Sequence, residues 1–235
     1  TPTQQLENFT SNFLRKYFDV YVLNTTYDEV VDVLNVASLI FMPRPTTAYT
    51  TGEIEALNEF LKKGGGIIIT GDGSKSGSDF AGYWDPDSSI NLYLENFGMK
   101  ILDAALWLQG DGYWQYNNLV EFNLSVSNLA DIINYGLTMI KLSKVSPVNV
   151  TAWTATYSGM EIHTYPVVVG TDELRVNDTE TVELTNAQKN AIVVSETNTS
   201  GKIMIVGTTY LFVDFYTSDN LPYVKHLFAW FLGKL

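Results

Sequence analysis

Hydrophobic and polar positions in the first hundred residues predict alternating helices and strands. Apolar residues recur at helical spacing from Leu6 to Tyr17, and two Thr-x-x-Glu capping boxes, at Thr26 and Thr50, precede further helical patterns. The helix after Thr26 is expected to bury Val31 and its apolar neighbours. Short apolar segments predict strands at residues 19–23, 38–42 and 66–70. Apolar strands separated by helices are typical of a parallel sheet that is covered on both faces.

The middle of the chain, about residues 104–182, has a different pattern. Period-two stretches at residues 120–126 and 161–169 predict antiparallel strands attached to the parallel part. Buried-strand composition then returns before a closing helix. The sequence therefore predicts a single α/β domain over residues 1–235. This domain has three layers, with a mostly parallel sheet flanked by helices and an antiparallel β-rich insertion in the middle.

Two segments resemble the class I glutamine amidotransferase-like superfamily, in its non-catalytic and trehalose-utilisation-like branches. Residues 38–73 contain an apolar strand, a proline-containing loop, a helix, three glycines, a second strand and a tight glycine turn. Residues 201–232 contain a strand that ends in glycine, an acidic loop and a helix that ends in Trp-Phe-Leu. The resemblance implies the α/β fold of that superfamily.

The turn that holds the nucleophile in catalytic members of this superfamily differs here. The resemblance places the nucleophile position on Gly71 or Asp72, and neither is Cys or Ser. The distal His-Glu pair of the superfamily has no counterpart, since His163 and His226 lie in unrelated contexts. The resemblance therefore implies a binding role more than a catalytic one.

Composition narrows the classes of partner and cofactor. The net charge is −12, with 26 acidic and 14 basic residues, which disfavours a nucleic-acid surface. The longest apolar runs have the size of strands, so no transmembrane segment is predicted. The absence of cysteine excludes disulfides, thiolate metal sites and a cysteine nucleophile. No cofactor is predicted.

Asparagine-containing sequons provide the signal for a compartment. Six Asn-x-Ser/Thr sequons are present, more than chance placement predicts, at Asn8, Asn24, Asn123, Asn149, Asn177 and Asn198. In an acidic chain without cysteine, they are typical of an archaeal cell-surface glycoprotein. They predict an extracellular or cell-surface location, although a composition rich in Asn, Ser and Thr is the alternative explanation.

Three polar residues are candidates for a ligand site at the ends of strands. Arg44, Asp72 and Asp214 follow predicted strands, and open α/β sheets bind ligands at the carboxyl ends of their strands. A pair of carboxylates there would suit a hydrolase. The alternative is that these residues cap the helices that follow.

An aromatic segment is a second candidate site. Trp107, Tyr113, Trp114 and Tyr116 lie among glycines and amides, as in loops that stack sugars or anchor a protein partner. The alternative is that the aromatic rings cover the edge of the core.

A weaker candidate is a calcium site. Asp79, Asp85 and Asp87 offer the oxygen ligands that Ca²⁺ prefers, but their spacing matches no EF-hand loop. The same residues are equally suited to turns and helix caps.

The sequence thus predicts a non-catalytic extracellular domain that binds or assembles within a cell-surface protein or transporter complex. Its partner would be a protein or a carbohydrate. The alternatives are a carbohydrate-active hydrolase that uses Asp72 and Asp214, and a purely structural spacer.

Overall fold

A computed structural model of the chain describes residues 2–23, 26–72, 84–108, 119–124, 131–134, 137, 139–143, 145–170, 174–177, 184–185, 188–213 and 220–234. The α-helices are α1 (Pro2–Phe9), α2 (Arg15–Tyr17), α3 (Val31–Val36), α4 (Thr51–Lys62), α5 (Asn91–Leu94), α6 (Asp131–Asn134), α7 (Tyr210–Val213) and α8 (Asn220–Phe231). The strands are β1 (Leu39–Pro43), β2 (Gly66–Thr70), β3 (Met99–Ile101), β4 (Ala105–Leu108), β5 (Leu119–Asn123), β6 (Met139–Ser143), β7 (Val148–Val150), β8 (Thr154–Tyr157), β9 (Met160–Val168), β10 (Leu174–Asn177), β11 (Ile192–Thr197) and β12 (Lys202–Val206).

Six strands form the main sheet, in the order β1-β2-β12-β11-β9-β8. Strands β1 and β12 flank β2 in parallel, and the three remaining pairs are antiparallel. This sheet, with its flanking helices, confirms the predicted α/β class. Strands β8 and β9 come from the predicted insertion and extend the main sheet. The sheet therefore has a larger antiparallel share than the sequence pattern indicated.

The central strand β2 shows why the sheet needs cover on both faces. Every position of β2 is buried. Ile68 packs in a core that includes α1 and α8, whereas Ile67 and Ile69 pack in a second core that includes α4 and α5. Successive side chains of a strand point to opposite faces, so the apolar run fills two cores at once. Helices and sheet thus form three layers.

Helix α4 forms where the sequence predicts it, with its ends fixed by local signals. The Thr50 side chain accepts a hydrogen bond from the Glu53 N–H, and the Glu53 carboxylate accepts one from the Thr50 N–H. This capping box satisfies backbone donors that a helix start leaves unpaired. The helix buries Leu57 and Leu61 and is followed by Gly64, whose φ of 87° suits glycine.

The N-terminal region differs from the prediction in three ways. Residues 19–23 form no strand, and α1 continues through a π-helical turn (Thr10–Leu14) into α2. The Thr26 side chain makes no capping hydrogen bond, and a 3-10 turn precedes α3. Val31, expected in the core, is exposed. The sequence pattern predicted that these apolar residues are buried. Burial requires another helix or strand that covers them, and no local pattern specifies one.

Candidate functional site

The carboxyl ends of β1, β2 and β12 meet at one edge of the sheet, because these strands are parallel neighbours. Arg44 follows β1, Asp72 lies two residues after β2, and Thr208 and Thr209 follow β12. We call this group, together with Thr70 at the end of β2, the carboxyl edge. All five residues are buried.

Arg44 and Asp72, two of the predicted site residues, form an ion pair at the carboxyl edge. The Arg44 Nε atom lies 3.6 Å from Asp72 Oδ2, and the two side chains are only 6% and 1% exposed. A buried charge needs an opposite charge beside it. Arg44 also has a φ of 47°, in the left-handed region that residues with a Cβ seldom adopt. Its N–H donates to the carbonyl and hydroxyl oxygens of Thr70, both at 3.2 Å, which holds this conformation.

Threonine side chains tie the turn after β2 to the turn after β12. The Thr70 and Thr209 hydroxyl oxygens lie 2.7 Å apart. The N–H and hydroxyl of Thr209 both donate to the Gly71 carbonyl oxygen, at 2.9 and 3.1 Å. The two turns are so close that a Cβ at Gly71 would lie 2.8 Å from the Gly207 carbonyl oxygen. Only glycine fits at residue 71.

The geometry of the carboxyl edge does not suit hydrolysis. A hydrolytic carboxylate must contact substrate or water, whereas Asp72 is buried against a guanidinium. The arrangement instead closes the end of the sheet by charge pairing and hydrogen bonds. Asp214, the third residue predicted at this edge, lies outside the described residues.

The aromatic candidates are only partly described. Trp107 lies in strand β4, and its backbone is opposite Arg175 of β10, so this residue is in a strand and not in a loop. Tyr113, Trp114 and Tyr116 lie outside the described residues.

Two of the three calcium candidates are engaged in local contacts. The Asp85 carboxylate accepts a hydrogen bond from the Asp87 N–H at 2.9 Å. The Asp87 carboxylate accepts one from the Asn91 side-chain amide and pairs with Lys100 Nζ at 2.9 Å. Burial acts to raise the pKa of Asp87, but these two partners outweigh it and lower the pKa. Asp79 lies outside the described residues, and across the described ones no three His, Asp or Glu side chains are arranged to hold a metal ion.

A row of aromatic rings that sequence analysis missed packs with the core that includes α4 and α5. Its ring centroids are 5.1–6.4 Å apart, along Tyr27, Tyr49, Tyr93, Phe97 and Tyr157. Burial raises the pKa of Tyr27 to about 12, and it also raises the pKa of Tyr49 and that of Tyr93. These hydroxyls stay protonated at neutral pH. No sequence signal marks the row, because its members are scattered along the chain.

Sequence analysis also missed a concentration of exposed apolar side chains in residues 17–36. Among the described residues, seven large hydrophobic side chains are exposed, and five of them lie within residues 17–36. These five are Tyr17, Tyr21, Val22, Val31 and Val36. Helical spacing and apolar composition had predicted that such residues face the core.

Helix length bears on the membrane prediction. Within the part of the chain that the structure describes, every helix is too short or too polar to span a bilayer.

Comparisons with known proteins place the chain among its relatives. A family model described as the IFT52 GIFT domain matches residues 2–233. Among curated proteins, none matches the chain. The solved structure of the mmIFT52 N-terminal domain is similar, with a TM-score of 0.68 and 17% identity over 94% of this chain and 88% of that one. A ThuA-like protein from Bacteroides uniformis has a TM-score of 0.55 and 13% identity over 98% and 86%. At these identities the two structures show the fold alone.

These matches support one prediction in part and overturn others. The ThuA-like structure agrees with the amidotransferase-like fold implied by the resemblance, but the family model that matches is that of the IFT52 GIFT domain. The predicted extracellular or cell-surface location, the glycoprotein assignment and the role in a cell-surface protein or transporter complex are wrong, because an IFT52 family model covers almost the whole chain. The hydrolase alternative has no support from these matches. Neither a cell-surface partner nor a carbohydrate partner has support either.

Proposed function

The chain belongs to the IFT52 GIFT domain family, and from this we propose that it is a protein-binding domain that assembles into an intraflagellar transport complex. The observation that carries the proposal is the match of the family model to residues 2–233. The similarity in fold to the mmIFT52 N-terminal domain is consistent with it. We therefore expect the chain to bind protein partners and not to catalyse a reaction.

The carboxyl edge supports a binding role over a catalytic one. In catalytic proteins that resemble this chain, the turn after the second strand presents a nucleophile. Here that turn holds Gly71, which has no side chain, and Asp72, whose carboxylate is buried beside Arg44. The described part of the turn thus presents no accessible nucleophile. The same edge stiffens the sheet, which suits a domain that offers a rigid surface to a partner.

Co-expression tests the proposal. The tagged chain would be produced with the intraflagellar transport proteins of its own organism and analysed by affinity purification followed by size-exclusion chromatography. The expected result is equimolar co-elution with at least one of these proteins. The ThuA-like protein from Bacteroides uniformis, which shares the fold at 13% sequence identity, is the control and should elute alone. If the correctly folded chain also elutes alone, the proposed function is wrong.

A further inference from the structure

We propose that strand β8 pairs with the same strand of a second copy of the chain, antiparallel and with the two-fold axis at Ala155. This inference goes beyond the proposed function, because the interface joins two copies of this chain and not this chain and another protein. It draws on three observations, which are the hydrogen-bonding edge of β8, the order of its residues and the absence of charge along it.

Strand β8 has one side turned away from the rest of the sheet. It is the outermost strand of the main sheet, and no described strand pairs with its outer side. The Thr164 N–H donates to the Trp153 carbonyl oxygen at 2.9 Å, so residues 153, 155 and 157 exchange hydrogen bonds with β9. The backbone groups of Thr154 and Thr156 therefore point outward, and both residues are exposed.

The two edge strands of the main sheet differ in how well they are protected against another strand. Strand β1 ends in the exposed Pro43, which has no N–H to donate. Strand β8 contains no proline and no charged residue, and it pairs with β9 without a bulge. Such features are what native sheets use to block their edges. An edge strand without them is a template for a further strand.

The order of residues in and beside β8 is the same in both directions. Residues 153–157 read Trp-Thr-Ala-Thr-Tyr. Antiparallel pairing centred on Ala155 therefore sets Thr154 opposite the second copy's Thr156, and Trp153 opposite the second copy's Tyr157. In this register the outward N–H and carbonyl groups of both threonines gain partners. Threonine pairs and aromatic pairs are favourable across strands, so β8 is complementary to itself.

Trp153 is an exposed aromatic residue that this pairing would cover. Its side chain is 61% exposed. It lies on the same face of the strand as Ala155 and Tyr157, which pack against the core that includes α4 and α5. The Tyr157 ring is 5.5 Å from that of Phe97. Pairing would set Trp153 beside the second copy's Tyr157 and so extend the row of aromatic rings across the interface.

Charge along this edge permits the approach of a second copy. The net charge of −12 makes two copies repel in general, but residues 145–160 contain no charged residue. Glu161 of β9 is exposed opposite Thr156. Across the interface it would face the second copy's His163 at three strand spacings, about 14 Å. That separation exceeds the Debye length of about 8 Å at physiological salt. Glu95, close to Phe97, is paired with Lys100 at 3.3 Å.

Disulfide trapping tests the register. The chain has no cysteine, so Ala155→Cys introduces a single thiol. On the two-fold axis this residue would face its own copy in a non-hydrogen-bonded pair, with Cα atoms about 4.5 Å apart, which a disulfide can span. We expect a disulfide-linked dimer after mild oxidation. Leu92→Cys is the control, because Leu92 is 71% exposed and lies outside β8, and it should stay monomeric under the same conditions.

Sedimentation equilibrium of the purified chain, without any other protein, gives a second readout. We expect a dimer that dissociates on dilution. Thr156→Pro removes an outward N–H and keeps the hydrogen bonds to β9, so it should weaken the dimer at least about tenfold. Thr156→Val keeps that N–H and is the matched control, with an unchanged dissociation constant. Thermal melts of the variants would show that each remains folded.

The possible outcomes also separate this inference from the proposed function. A wild-type chain that is monomeric at every concentration, with no disulfide dimer from Ala155→Cys, overturns the inference. A dimer that Thr156→Pro leaves intact uses another surface and overturns it as well. If the chain is monomeric alone and Thr156→Pro abolishes co-elution with an intraflagellar transport protein, β8 receives a partner's strand and the second copy is wrong. In that last case the proposed function stands.

Discussion

The carboxyl edge and residues 17–36 place charged and apolar side chains in opposite environments. At the carboxyl edge, charged Arg44 and Asp72 are sealed inside the protein. Within residues 17–36, apolar Tyr21 and Val36 are exposed to solvent. The difference teaches that chemically conspicuous residues can serve the fold, while ordinary apolar residues can remain available to a partner. Four measurements test this contrast, beginning with the largest expected effect.

Removal of one charge from the carboxyl edge should give the largest loss of stability. Asp72→Asn leaves the Arg44 guanidinium buried without its carboxylate. Breaking such a buried pair costs about 3–5 kcal/mol of stability. Urea unfolding would measure the free energy of unfolding. The double variant Arg44→Met with Asp72→Leu removes both charges and should recover most of that loss. An Asp72→Asn protein as stable as the wild type would show that the pair does not close the sheet.

Alkaline pH should weaken the buried contact between Tyr27 and Tyr49. Tyr27, hydrogen-bonded to Tyr49, has its pKa raised to about 12 by burial, whereas tyrosine in the unfolded chain loses its proton near pH 10. Between these values the folded state keeps a proton that the unfolded state has lost, so stability present below pH 10 is lost as pH rises to about 12. We expect a fall of about 1 kcal/mol per pH unit in that range from this residue.

Tyr27→Phe is the control for the alkaline effect. It removes the titrating hydroxyl and keeps the ring, so the slope of stability against pH above 10 should become shallower. Urea unfolding at a series of pH values would measure both slopes. Equal slopes in the two proteins would contradict the assignment to Tyr27.

The two predicted capping boxes, of which only the one at Thr50 forms, give a matched pair of variants with a smaller expected effect. Thr50→Ala removes a hydrogen bond to the Glu53 N–H and should cost about 1 kcal/mol of stability. Thr26→Ala removes a side chain that makes no capping bond, so we expect a change close to zero. Thermal melts of the two variants would measure the difference, and equal losses would contradict the difference between the helix starts.

Truncation of an exposed apolar side chain should have the smallest effect on stability. Tyr21 is exposed, so Tyr21→Ala should change the free energy of unfolding by no more than about 0.5 kcal/mol. Chemical denaturation would measure this change beside Asp72→Asn. A loss of several kcal/mol would mean that Tyr21 supports the fold, and the contrast between the two regions would disappear.

Local sequence signals predicted an element correctly where the tertiary structure also buries its apolar side. Helix α4 has its capping box, its apolar stripe and its terminal glycine in sequence order, so its bounds were predictable. The attachment of the stretch at residues 161–169 to the sheet was also predicted, but its partner strand was not, because no local pattern links β9 to β11. Val31 was wrongly placed in the core, because helical spacing identifies an apolar face without showing whether anything covers it.

The candidate site was predictable only in position. The rule that ligands bind at the carboxyl ends of parallel strands placed Arg44 and Asp72 at one edge, and the structure brings them together there. Whether such a pair faces solvent or is sealed depends on side chains that arrive from another strand, such as Thr209 after β12. A single sequence carries no signal for that packing.

The close approach at Gly71 has a consequence for the evolution of this chain. A serine or cysteine at residue 71 would place its Cβ 2.8 Å from the Gly207 carbonyl oxygen, nearer than real Cβ atoms come. One codon change at this position therefore cannot install a nucleophile, because the turn after β12 would first have to move. That turn is held by Thr209, so its movement would also disturb the hydrogen bonds that join the two turns. The backbone therefore resists a nucleophile at residue 71 even though the genetic change is small.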